Sequence, residues 1–169
     1  KISAFFEGLL AEFPNYCPAM VEYAQFLTTS KDDRVHMLSK ADLLLDTAIK
    51  ITDPNANANA DLNDDAKNMH HTVNMAYRCV ALYMKGFVKL HQIEKQKGMT
   101  QENQKLNDEA RKLFIAAVKA DEKNIYARIN LAQFLAFKDN DNEQALAHLE
   151  YAYNNVNKDD PNLIANLIK

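Results

Sequence analysis

The side chains of this sequence that are best suited to metal binding or catalysis are five histidines and two cysteines. His70 and His71 are adjacent on a predicted helix, where neighbouring side chains point about 100° apart, so the pair is poorly placed to share one metal ion. His36, His91 and His148 are isolated in the sequence. The sequence contains no His-Glu-x-x-His or Cys-x-x-Cys segment, the spacings typical of zinc sites. We therefore predict no metal site.

Cys17 and Cys79 are candidates for a nucleophile that pairs with a distant histidine base. Each stands among apolar residues of a helical pattern, which favours a buried structural thiol. Gly-x-Ser-x-Gly, glycine-rich phosphate loops and Glu-x-x-His pairs are absent from the sequence. We therefore predict that the chain alone is not an enzyme and needs no cofactor. Two widely spaced cysteines also argue against a disulfide scaffold and favour a reducing compartment, the cytoplasm.

The charge balance restricts the classes of partner. The chain has 20 basic and 23 acidic residues and a net charge of −3, whereas a general nucleic-acid binder carries a basic excess. A local basic cluster is interpreted as a solvated helix face in preference to a phosphate site. Its members are Lys85, Lys89, Lys95 and Lys97. No apolar run approaches the ~20 residues of a membrane span, so neither a nucleic acid nor a membrane is expected as a partner.

The spacing of apolar residues indicates the elements that position these groups. They recur at intervals of three and four, as on one face of an α-helix, while strand-type alternation and the dipeptides Asn-Gly and Asp-Gly are absent. This predicts an all-α fold with about eight helices. They cover approximately residues 2–13, 18–27, 33–53, 64–97, 101–120, 124–136, 141–156 and 160–168. Thr100 and either Asn140 or Asp141 are predicted helix caps.

The region between the third and fourth predicted helices is unusual. Residues 53–63 form a polar, low-complexity loop, and the helix at about 64–97 would be roughly 45–50 Å long. Its apolar stripe fits a coiled-coil seam and also fits packing against two neighbouring helices. No composition shift marks a domain boundary, so we expect a single domain over residues 1–169. Because the first residue is Lys1 and not Met, we expect this domain to be a piece of a longer protein.

Two segments of the chain resemble each other. Residues 19–27 and 127–135 both begin with Ala and end with Ala-Gln-Phe-Leu, and they lie 108 residues apart, close to three repeats of ~34 residues. Two further patterns combine small and large residues. Leu131, Ala132 and Leu135 form one, and the other, in which a large residue stands between two alanines, occurs three times: Ala145, Leu149 and Ala152; Ala110, Phe114 and Ala117; and Ala41, Leu45 and Ala48. In these features the chain resembles the tetratricopeptide repeat (TPR) family, with Pro14 in the place of the linker proline.

The resemblance implies a right-handed α-solenoid of antiparallel helix pairs, whose first helices line a concave face that binds a partner peptide or protein. The groove positions it implies are Val21, Gln25, Thr28, Thr29, Ile129, Asn130, Gln133 and Phe137. Asn130 matches an asparagine that fixes the ligand backbone in some members. The basic residues of the chaperone-tail clamp are not matched on the second helix, where Val21 and Gln25 stand, so a chaperone tail is not the expected ligand.

The chain also departs from the family pattern. It has no tryptophan, a long turn at 27–41 and an extended fourth helix, and these insertions are expected at one edge of the stack. A protein-interaction scaffold is therefore the first hypothesis. The alternative is a structural or regulatory module packed within a larger enzyme or multi-subunit assembly, without a free groove. Self-association is expected through apolar residues of the end helices. They are Phe5, Phe6, Phe13, Leu163, Ile164, Leu167 and Ile168.

Overall fold

The computed structural model describes residues 1–29, 34–55, 64–94 and 100–156. These ranges hold seven α-helices and no strand. The helices are α1 (Ile2–Glu12), α2 (Cys17–Thr29), α3 (Arg34–Ile51), α4 (Asp64–Glu94), α5 (Gln101–Ala120), α6 (Ile125–Phe134), which continues into a π-helical turn (Leu135–Asp139), and α7 (Asn142–Asn155). The predicted all-α class is confirmed for the described part of the chain.

Some predicted elements lie outside the described residues. They are the eighth helix at 160–168, most of the loop at 53–63, and the end of the fourth helix at Lys97. The other boundaries differ little from the prediction: α1 ends at Glu12, one residue early, and α2 begins at Cys17. Differences of this size are ordinary because helix ends fray.

Side-chain caps determine where three helices begin. The side-chain oxygens of Thr100, Asn124 and Asp141 each accept a hydrogen bond from the backbone N–H three residues on, at 3.2, 3.0 and 3.1 Å. Each bond satisfies a donor that has no partner within its helix. The caps at Thr100 and Asp141 are thereby confirmed. Asn140 has a different role: its φ of 54° is in the left-handed region and ends the π-helical turn.

The helices pack in chain order, and α4 is the central one. Each helix contacts its neighbours in the chain, and α4 also contacts α2 and α6. One buried cluster joins α2, α3 and α4, and a second joins α4 through α7. Fully buried alanines occur throughout both clusters. They include Ala24, Ala41, Ala48, Ala81, Ala110, Ala117, Ala127 and Ala132. These small side chains let helix backbones approach, while larger residues fill the space beside them.

Gly86 allows α4 and α5 to pack closely. A Cβ atom at this position would lie 2.9 Å from two ring carbons of Phe114, a distance too short for ordinary contact. Phe114 is almost completely buried and cannot move aside freely. Because Gly86 has no side chain, the ring of Phe114 can pack against α4 as part of the second cluster.

The basic residues of α4 are engaged with acidic residues of α3 and α5. Lys89 lies 3.0 Å from Asp42 and 3.9 Å from Glu109, and Lys85 pairs with both Asp42 (3.4 Å) and Asp46. Only 12% and 13% of the Lys85 and Lys89 side chains are exposed. The prediction of a solvated face is therefore wrong for these two lysines, because α3 and α5 cover them. Residues 95 and 97 of the same cluster lie outside the described residues.

Candidate functional site

A pocket of about 150 Å³ opens between α4, α5 and α6. Its apolar walls are formed by Phe87 and Leu90 of α4, Phe114 of α5 and Phe134 of α6. The ring of Phe114 contacts Phe87 edge-on at 5.4 Å and lies 5.6 Å from the ring of Phe134. Phe114 and Phe134 are buried and belong to the second cluster. The packed core therefore holds these aromatic walls in place.

The rim of the pocket is formed by α6 and the turn after it. Asn130 and Gln133 contribute partly buried amide side chains, and Phe137 and Lys138 follow in the π-helical turn. Within the described ranges, no hydrogen bond engages the side-chain amide of Asn130 or Gln133. Phe137 is 77% exposed, which is unusual for a phenyl ring. The rim thus combines unpaired amides with an apolar surface.

Local sequence explains why these groups lie together. The Asn124 cap starts α6, and a wider helical turn then includes both Phe137 and Lys138. The turn ends where the carbonyl oxygen of Leu135 accepts hydrogen bonds from the backbone N–H groups of Asn140 and Asp141. Asparagine tolerates the left-handed conformation required there better than most residues. π-Helical turns are frequent at functional sites.

Three of the four residues predicted on the groove of α6 and the turn after it lie together at the pocket. Asn130, Gln133 and Phe137 line the pocket together. Ile129 does not, because only 2% of it is exposed. Its assignment to the groove is wrong, since the packing of α6 on its neighbours covers this flank of the helix.

The four predicted positions on α2 do not join the pocket, which has no lining residue from that helix. Val21 is only 3% exposed and belongs to the first cluster, against which residues of α1 also pack. Its assignment to a groove is therefore wrong. Gln25 and Thr29 are exposed and Thr28 is partly buried. The hydroxyl groups of Thr28 and Thr29 donate to backbone carbonyls one turn back, at 2.7 and 2.8 Å, so both donors are already used.

The sequence patterns did not identify two tyrosines of α4 and α6, Tyr83 and Tyr126, neither of which lines the pocket. Burial, with smaller contributions from Cys79, Tyr126 and Glu22, raises the pKa of Tyr83 to about 12. Tyr126 stands four residues before Asn130 and eleven before Phe137, so the three side chains follow one stripe of the helix and its continuation. This spacing could have identified Tyr126 as part of the same surface.

The cysteines have no feature of an activated nucleophile. Both are free and buried. Burial raises the pKa of Cys17 to about 11 and that of Cys79 to about 12, the latter with a contribution from Asp121. A reactive cysteine needs a lowered thiol pKa and access to solvent. Here both thiols are buried and their pKa values are raised.

The described residues offer neither a cluster of metal ligands nor a membrane-spanning helix. No group of three or more His, Cys, Asp or Glu side chains in these ranges is arranged to hold a metal ion. No helix in the same ranges is both long and apolar enough to cross a bilayer. The side chains of His70 and His71 lie outside the described residues.

Comparisons of the chain with protein-family models, curated proteins and solved structures found no match. The pocket must therefore be interpreted from its own geometry and chemistry. The relevant features are an apolar interior, one lysine and two side-chain amides that no other described residue engages in a hydrogen bond.

Proposed function

We propose that this chain is a protein-interaction module, a TPR-like α-solenoid that binds a partner on the face formed by α2, α4 and α6. In this proposal α2–α3, α4–α5 and α6–α7 are the helix pairs. The order of contacts supports it, because α4 packs against both α2 and α6 in addition to its chain neighbours. Stacked helix pairs bring successive first helices together in this way.

The observation that carries the proposal is the pocket between α4, α5 and α6. Its apolar walls and exposed Phe137 favour binding of apolar groups, and the amides of Asn130 and Gln133 are placed to pair with a polar backbone. Interface hot spots commonly have this composition, an apolar centre with polar groups at its border. We further propose that binding, and not catalysis, is the activity of the chain, in agreement with the raised thiol pKa values of Cys17 and Cys79.

The proposal is tested with peptides selected from a random display library against the purified chain. Gln133→Glu and Phe137→Glu each add a carboxylate at the rim of an apolar pocket. We expect each change to weaken peptide binding by about tenfold or more. The melting temperature should change little, because neither side chain is part of the buried core.

Two matched variants control for charge and for loss of an exposed ring. Gln104→Glu changes an exposed glutamine of α5, and Tyr153→Glu changes an exposed aromatic residue of α7. Neither residue lines the pocket, so both variants should bind as the wild type does. Equal affinity of all four variants would place the binding surface elsewhere.

A second function is favoured by exposed apolar residues away from the pocket. Phe5 and Phe13 of the α1 region and Leu146 of α7 are more than half exposed. Such surfaces are typical of contacts with other protein. They support the alternative in which the chain is a structural or regulatory module of a larger assembly, and in that case the rim variants would leave assembly unchanged.

A further inference from the structure

The size of the pocket restricts its occupant. At about 150 Å³ it is well below the ~300–1,000 Å³ of typical small-molecule sites. In another protein, an apolar cavity of about 150 Å³ binds benzene. The space between Phe87, Leu90 and Phe114 therefore suits a single phenyl ring or branched aliphatic side chain.

The amides at the rim indicate that this side chain belongs to a peptide. Asn130 and Gln133 each offer an NH₂ donor and a carbonyl acceptor, and neither amide is hydrogen-bonded to another described residue. A free hydrocarbon would cover the amides without satisfying them, which is costly. A peptide group presents one donor and one acceptor and satisfies both.

The charge at the rim is positive. Lys138 lines the pocket and, among the described residues, makes no ion pair. The adjacent Asp139 does not neutralise it, because its carboxylate is held by the guanidinium of Arg111 at 2.8 Å. A carboxylate beside the apolar group of the ligand would complement Lys138.

We propose that the pocket binds a short protein segment in which one bulky apolar residue, such as Phe, Leu or Met, stands beside Asp or Glu. The apolar side chain contacts Phe114 inside the pocket, the carboxylate pairs with Lys138, and the segment backbone pairs with Asn130 and Gln133. This inference rests on the proposed function, since it specifies the partner chemistry of the same site.

The test is a selection of short random peptides displayed against the wild type and, separately, against Lys138→Glu. We expect wild-type selections to be enriched in an apolar residue beside Asp or Glu. Selections against Lys138→Glu should keep the apolar residue and replace its neighbour with Lys or Arg. Lys112→Glu, an exposed lysine of α5 outside the pocket, is the matched charge control and should select the wild-type pattern.

Synthetic versions of the enriched peptides then measure each contribution. Replacing the apolar residue with Ala should weaken binding by about tenfold or more. Replacing the carboxylate with its amide should weaken it by roughly two- to fivefold. On the protein side, Phe137→Ala should weaken binding, and Phe5→Ala, which changes a similarly exposed phenylalanine of α1, should not.

The outcomes separate this inference from the function on which it rests. Peptides that lose affinity with Gln133→Glu but show no shared apolar residue, or no charge exchange with Lys138→Glu, would overturn the inference and leave the proposed function in place. Failure to select any peptide whose binding depends on Gln133 would overturn both.

Discussion

At the scale of single residues, His148 links the packing of α6 and α7 to pH. Burial lowers the pKa of His148, and the guanidinium of Arg128, whose Nη1 lies 3.3 Å from the Nδ1 of His148, lowers it further. Arg128 cannot turn away freely, because it stacks on the ring of Tyr151 at 3.7 Å. The folded state therefore disfavours the imidazolium form, and the unfolded state binds more protons as the pH falls.

We accordingly expect the contribution of His148 to the free energy of unfolding to be complete above its ordinary pKa of 6.5 and to decline as the pH falls through that value. Urea unfolding of the wild type and of His148→Gln between about pH 5 and 8 measures this contribution. As the pH falls, the free energy of unfolding of the wild type should decrease more steeply than that of His148→Gln. His36→Gln, at an exposed position, is the control and should follow the wild type. Parallel curves for the wild type and His148→Gln would contradict the prediction.

At the scale of helices, the approach of α4 and α5 depends on Gly86. Gly86→Ala would place a methyl group 2.9 Å from ring carbons of Phe114. Overpacking of a core costs about 1–3 kcal/mol, and the better helix propensity of alanine recovers up to ~1 kcal/mol. We expect the free energy of unfolding to fall by roughly 1–2 kcal/mol, measured by chemical denaturation.

Gly8→Ala provides the matched control for this substitution. Gly8 lies within α1, and a Cβ atom there would have no neighbour within 4 Å. Gly8→Ala should therefore raise the free energy of unfolding, by up to ~1 kcal/mol. If both substitutions were stabilising, the contact between Gly86 and Phe114 would not restrict the core as inferred.

The helices could be predicted because their determinants are local in sequence. Apolar spacing and the caps at Thr100 and Asp141 lie within the segments that they organise. Which flank of a helix is covered depends on other helices, and periodicity along α2 or α6 alone could not show that Val21 and Ile129 are buried. The pocket combines residues as distant in sequence as Phe87 and Phe134, so its walls could not be predicted from local patterns.

At the scale of the whole molecule, the first and last described helices leave apolar surface uncovered. α1 packs against α2 and contains no fully buried residue. Its Phe5 is 65% exposed, and Leu146 and Tyr153 of α7 are 57% and 63% exposed. Leu146 and Tyr153 stand seven residues apart and share one face of their helix. In a stack of helix pairs, an uncovered face of this kind is a surface against which another pair can pack.

We therefore expect the chain to self-associate at high concentration by contact of α1 in one copy with α7 in another. Such a head-to-tail contact leaves one free surface at each end and permits further growth. Sedimentation velocity should show a mean mass that rises with concentration in the wild type. Phe5→Asp or Leu146→Asp alone should each give a monomer, because each variant lacks one of the two surfaces.

An equimolar mixture of the two variants should form dimers and nothing larger, since only one intact pair of surfaces remains. Dimers of Leu146→Asp alone would indicate instead that two copies of α1 contact each other. A wild type that stays monomeric at millimolar concentration would exclude both arrangements.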